Sequence, residues 1–162
     1  MKFHTVEDLI TEFKEESAKT VAVFNTLTPK SLNHPVAPGD RTIGEIAWHM
    51  IEAYPKILSQ IGLTLRDIPP RQSDPQTLTS SYQTIVTEFL TATKTSWQDA
   101  DLITECDVYT HRWTRGYTVG VLLFHEVHHR GQLTILMRQA GLQPPDTYGP
   151  AGRQKANEQT GE

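Results

Sequence analysis

Apolar residues return at the i, i+3, i+4, i+7 spacing of a helix in four stretches of the chain. The first runs from about Val6 to Leu27, with Val6, Leu9, Ile10, Phe13, Val21, Phe24 and Leu27 mostly on one face. Thr5, followed three residues later by Asp8, gives it a capped start. The second begins at Thr42, which forms a Thr-x-x-Glu capping box with Glu45, and carries Ile43, Ile46, Met50, Ile57, Leu58 and Ile61. Pro55 removes a backbone donor, so a kink or a division is expected there, and Gly62 is the expected end. The third runs from about Gln76 to Ala100, marked by Leu78, Tyr82, Ile85, Val86, Phe89 and Trp97. The fourth starts near Thr118, carries Val121, Leu122, Phe124, Leu133, Leu136, Met137 and Ala140, and ends at Gly141, with Pro144 and Pro145 barring continuation.

Proline and glycine punctuate the intervals. Residues 28–40 hold Pro29, Pro35, Pro38 and Gly39 and read as a loop, and 63–75 form a second proline-rich connection. Residues 101–117 read as irregular, with a short extended piece around Val108 and Tyr109. No internal repeat or low-complexity tract interrupts the pattern. Four long amphipathic helices in one small chain predict an all-α fold, an up-and-down four-helix bundle, over residues 1–150. Residues 151–162 lack apolar residues of any size and are expected to form a flexible tail.

Composition narrows the class. The chain has 162 residues, 37% hydrophobic and 21% charged, which suits one ordinary globular domain. A net charge of −4 and the lack of any run of Lys and Arg argue against a nucleic-acid partner, because phosphate contacts demand a basic patch. The single cysteine, Cys106, cannot form an intrachain disulfide, so a reducing compartment is expected. Glu7 and Asp8 stand where a signal peptide would be apolar. The apolar run Val119–Phe124 is far too short for a membrane span. The expected location is cytoplasmic, with no membrane partner.

The chemistry gathers on the fourth segment, in His125-Glu126-Val127-His128-His129. Residues i and i+4 of a helix lie about 40° apart around the axis and about 6 Å apart along it. Two imidazoles so placed can converge on one metal ion at about 2.0–2.1 Å. His128 lies about 60° from His125 on the other side of that line and fits less well. The competing reading is a pair of core histidines, but burying two unmetallated imidazoles side by side is costly. Phe124, Leu133 and Leu136 nearby argue against a fully exposed face. His49, among Ile46, Trp48, Met50 and Ala53, is the natural third ligand, because no other histidine sits within another long amphipathic segment. Its alternative is a buried histidine bonded to a carbonyl or to Glu45.

The same segment satisfies His-Glu-x-x-His, in which Glu126 would activate a metal-bound water for peptide cleavage. Gln132 stands where the extended form of that motif needs glycine, no histidine follows, and no peptide-binding edge strand is visible. The peptidase is the weaker reading.

The chain resembles the DinB/YfiT-like family of small metal-binding four-helix bundles. The resemblance rests on Thr42-Ile-Gly-Glu-Ile-Ala-Trp-His49, on Trp113-Thr-Arg-Gly leading into Phe124-His125-Glu-Val-His-His129-Arg-Gly-Gln-Leu133, and on Arg138-Gln-Ala-Gly-Leu-Gln-Pro-Pro-Asp146. It implies that His49, His125 and His129 hold one divalent metal ion, zinc or nickel. It also implies a transferase or isomerase that uses a low-molecular-weight thiol, although family members without a known reaction share the pattern.

Three functions follow as alternatives. One is a metal-dependent enzyme acting on a small-molecule substrate, a thiol-dependent S-transferase or a hydrolase. Another is a non-catalytic metal-binding stress-response protein. The last is a plain bundle whose histidines hold nothing. A homodimer is the expected assembly. Glu126 and Gln132 are the expected supports for the ligand imidazoles, with a surface salt bridge as the alternative for Glu126. Trp48, Tyr54 and Trp113 are candidates to line a pocket or fill the core. Gly131, costly inside a helix, points to close approach by a neighbouring element. Cys106 lies between Glu105 and Asp107, which disfavours a thiolate nucleophile.

Overall fold

The computed structural model describes residues 3–152. Five helices carry the fold: α1 (Val6–Phe24), α2 (Pro29–Leu32), α3 (Ile43–Leu58), α4 (Pro75–Ser96) and α5 (Arg115–Gln139). A short antiparallel hairpin, β1 (Glu105–Val108) with β2 (His111–Thr114), precedes α5. The capping boxes at Thr5/Asp8 and Thr42/Glu45 both form, each side chain taking the other residue's backbone N–H. Asp74 caps α4 through the backbone N–H of Thr77.

The long helices α1, α3, α4 and α5 make the expected all-α four-helix bundle. Their order around it is α1–α4–α3–α5. The start of α1 lies at the end of α4, where the Val6 N–H donates to Asp99 at 2.8 Å, so these two run antiparallel. Leu32 seats against Gly44, so α3 starts at the end where α1 finishes. Gly62 after α3 lies beside Arg115 at the start of α5. The chain therefore runs up, down, down, up. It departs from a plain up-and-down order at one step, because residues 62–74 travel back along the bundle before α4 begins. Leu63 and Leu65 in this connection are buried, and the Trp48 indole N–H donates to the Gln72 carbonyl at 2.9 Å. Apolar anchors and one buried hydrogen bond thus hold a segment whose prolines read only as loop.

Aromatic rings fill the centre. Phe13 and Phe89 meet edge-on at 5.0 Å, Phe24 and Tyr82 at 5.3 Å, and Tyr54 touches both Tyr82 and Phe89. Such pairs add to the area they bury. Trp48 and Tyr54, candidates to line a pocket, are core residues, and Trp113 is half-buried.

Several local expectations need correction. Pro55 does not divide the second helix, since α3 continues to Leu58 and a 3₁₀ turn, Ser59–Ile61, leads to Gly62 in the left-handed region. The loop after α1 contains the one-turn α2. The stretch read as irregular holds a 3₁₀ segment, Asp99–Ile103, and the hairpin, with Tyr109 in its turn at φ 52°. Helix α5 starts at Arg115, one turn earlier than its apolar pattern shows, capped by Thr114. Close approach occurs at Gly44 and Gly116, where a Cβ would stand 3.1 Å from the Leu32 and Leu102 carbonyl oxygens. At Gly131 a Cβ would meet nothing within 4 Å. Among the described residues no helix is long and apolar enough to cross a membrane. The predicted tail lies outside the described residues beyond position 152.

Candidate metal centre

Helices α3 and α5 form the most extensive helix pair of the bundle, and they bring the three predicted histidines together. His49 comes from the middle of α3, and His125 and His129 from successive turns of α5. The Nε2 atom of His125 lies 3.0 Å from Nε2 of His49 and 3.1 Å from Nε2 of His129. One ligating nitrogen from each residue lies within 4.8 Å of the other two. A tetrahedral ion with bonds of about 2.0–2.1 Å needs donor atoms roughly 3.3 Å apart. The two separations from His125 are close to that value. His128, one residue away, is exposed and outside it, as its angular position requires.

The electrostatics suit a cation. Burial holds all three imidazoles below their usual pKa, and it outweighs the opposing pull of Gln132 on His129 and of Glu52 on His49. His125, the most enclosed, is lowered to about 4 by burial first and then by His129 and His49. The rings are therefore neutral near pH 7 and present lone pairs to one point. The Gln132 carbonyl oxygen lies 2.7 Å from His129 Nδ1, which fixes the proton there and leaves Nε2 free to ligate. This is the support expected of Gln132. Glu52, one turn after His49, is held by Arg71 through two contacts of 2.6 Å and stays out of the ligand set.

Glu126 does something different from either expectation. It is 1% exposed and points away from the three histidines into the bundle. Its carboxylate accepts from Tyr54 and Tyr82, both at 2.5 Å, and from Thr20 at 2.7 Å. Burial and the Glu126 charge push both phenols well above their ordinary pKa, so they remain donors. The carboxylate is thus neither a surface salt bridge nor a base beside the metal centre. The His-Glu-x-x-His pattern is met in spacing and not in geometry. Phe124, taken from the sequence as part of a buried surround, is 53% exposed, whereas Leu133 and Leu136 are buried.

Sequence reasoning missed Arg130. It is fully buried, donates to the Glu16 carbonyl at 2.8 Å and to Thr20 at 3.0 Å, and pairs with the Glu16 carboxylate and the Tyr148 hydroxyl. Its guanidinium stands 3.8 Å from Glu126, four residues earlier on the same helix. That i, i+4 pair among Leu122, Leu123 and Leu133 was the available signal.

Known proteins share the sequence pattern and the fold. The chain is 34% identical over 152 residues to the protein YrdA of Bacillus subtilis (strain 168), covering 92% of this chain and 91% of that one. The crystal structure of a DinB-like protein from Bacillus cereus ATCC 10987 is 35% identical and superposes with a TM-score of 0.86, covering 90% of this chain and 99% of that one. YfiT from Bacillus subtilis, described as a probable metal-dependent hydrolase with an unusual four-helix bundle topology, shares 17% identity at a TM-score of 0.65, over 84% of this chain and 87% of its own. The DinB family as a whole matches residues 1–161. The chain belongs to the DinB family.

Proposed function

We propose that this protein is a metal-dependent enzyme in which one divalent ion, zinc or nickel, is held by His49, His125 and His129 and activates a small nucleophile. The nucleophile is a low-molecular-weight thiol for an S-transferase, or water for a hydrolase. The observation that carries this reading is the convergence of three neutral Nε2 atoms without a carboxylate or thiolate among them.

A divalent ion with only neutral ligands keeps its full charge and supplies a Lewis acid strong enough to lower the pKa of a thiol or a water. The protein's part is positional. Gln132 orients His129, and the α3–α5 packing holds His49 against His125. Glu126, committed to two tyrosines and Thr20, offers no base at the centre, which disfavours peptide cleavage. The description of YfiT as a probable metal-dependent hydrolase keeps water as the second candidate nucleophile.

The test is to load the metal-free protein with cobalt and titrate in a small thiol at neutral pH. A sulfur-to-metal charge-transfer band in the near ultraviolet, absent in His125→Ala, supports thiol activation. No band, together with cobalt-dependent hydrolysis of an activated ester lost in the same variant, assigns water instead. Cobalt that fails to bind the wild-type protein overturns the metal centre altogether.

A further inference from the structure

The loop that leads into α3 is pinned through its main chain. Pro35 pairs with Thr42, the Val36 N–H donates to the Arg41 carbonyl at 2.9 Å, and the Ile43 N–H donates to the His34 carbonyl at 2.9 Å. Gly39, at φ 81°, makes the turn. Arg41 is therefore fixed in its main chain, directly before the Thr42 cap, while its side chain is exposed. Because α3 and α5 run antiparallel, the start of α3 lies beside the second half of α5, so Arg41 stands on the His129 side of the metal centre. Its charge is felt there. After burial, the largest influence on both rings, Arg41 is one of the groups that lower the pKa of His49 and of His129.

The nearby carboxylates each have a partner. Glu52 is held by Arg71, Glu45 accepts from the Thr42 N–H at 2.8 Å, Asp40 accepts from the Arg41 N–H at 2.7 Å, and Glu126 faces the two tyrosines. Among the described residues no carboxylate pairs with the Arg41 guanidinium. A cation beside a divalent ion held by neutral ligands adds repulsion. An anionic group lying between the two replaces that repulsion with attraction on both sides. Arginine is also the side chain suited to such a group, since its planar fork takes a carboxylate through two parallel hydrogen bonds. Arg71 is not equivalent, because Glu52 already occupies its fork.

We propose, on the metal reading above, that the small molecule acted on at this centre carries a carboxylate, and that Arg41 anchors that carboxylate while the ion holds the other end of the same molecule. A neutral molecule of the same size reaches the ion but lacks the second hold. A cationic one is repelled by Arg41 and the ion together.

The test uses the cobalt-loaded protein and two carboxylates without a thiol, acetate and succinate, so that it is independent of which nucleophile the ion activates. Acetate offers one group to the ion, and succinate offers a second to Arg41. Binding is read from the visible absorption bands of the bound cobalt. The wild-type protein is expected to prefer succinate, and Arg41→Ala to reduce that preference about fivefold, the scale of one exposed ion pair. Arg41→Glu is expected to reverse the preference in favour of acetate. Arg66→Ala, which removes an exposed arginine paired with Glu88 on α4, is expected to leave it in place. The same succinate preference in the wild-type protein and in Arg41→Ala would overturn the anchor and leave the metal centre standing. A preference reduced equally in Arg66→Ala would assign it to net charge and overturn the anchor as well. A wild-type protein that binds no cobalt would remove the metal centre and the anchor with it.

Discussion

At the scale of single residues, position around the helix separates His128 from His129. The two are adjacent in sequence and about 100° apart around α5, so one faces α3 and the other water. Elemental analysis after purification without chelator is expected to find about one divalent ion per chain in the wild-type protein and in His128→Ala. His49→Ala and His129→Ala are expected to retain less than about a tenth of it, since two imidazoles alone bind weakly. Metal retained by His49→Ala and lost by His128→Ala would mean that a different set of residues ligates.

At the scale of the element, α5 serves two chemistries from neighbouring positions. His125 and His129 face α3, while Glu126 and Arg130, one residue further round, enter the space between α1, α3 and α4. The buried carboxylate ties three other helices to α5 one residue away from His125. Removing it leaves two phenols and a threonine without their acceptor and a buried guanidinium less compensated. Glu126→Ala is expected to cost about 3 kcal/mol or more in urea denaturation, because breaking a buried polar set from one side leaves its partners unsatisfied. Peptidase activity plays no part in that loss. A variant of unchanged stability would show that the network contributes nothing net.

For the whole molecule, the decisive feature is the return of residues 62–74 along the bundle. Two exposed ion pairs, Arg66 with Glu88 and Arg71 with Glu52, lie along it and look like its fastenings. Exposed pairs contribute little, while a buried leucine contributes a full side chain of apolar transfer. In urea denaturation, Leu65→Ala is expected to lose about 2 kcal/mol or more. Arg66→Ala is expected to lose less than about 1 kcal/mol. The reverse order would mean that electrostatics holds the connection.

The sequence by itself determined the four long helices, most of their caps and the three histidines that the fold brings together. Those are local properties: the period of apolar residues, a threonine three residues before a glutamate, two imidazoles one turn apart. It set His49 apart as the third candidate ligand by its place in a second amphipathic helix and by the family resemblance. It did not determine the order α1–α4–α3–α5, because an apolar face does not specify which other apolar face it packs on, and proline-rich connections of this length reach more than one neighbour. Nor did it say which way Glu126 turns. Spacing made it a candidate base beside a metal, and only the convergence of Tyr54, Tyr82 and Thr20 from three other helices gave it a better place to accept hydrogen bonds. Gly131 shows the same division. A glycine inside a helix announces that something is unusual there, and the fold showed that the approach takes place at Gly44 and Gly116 within the chain, while Gly131 faces outward.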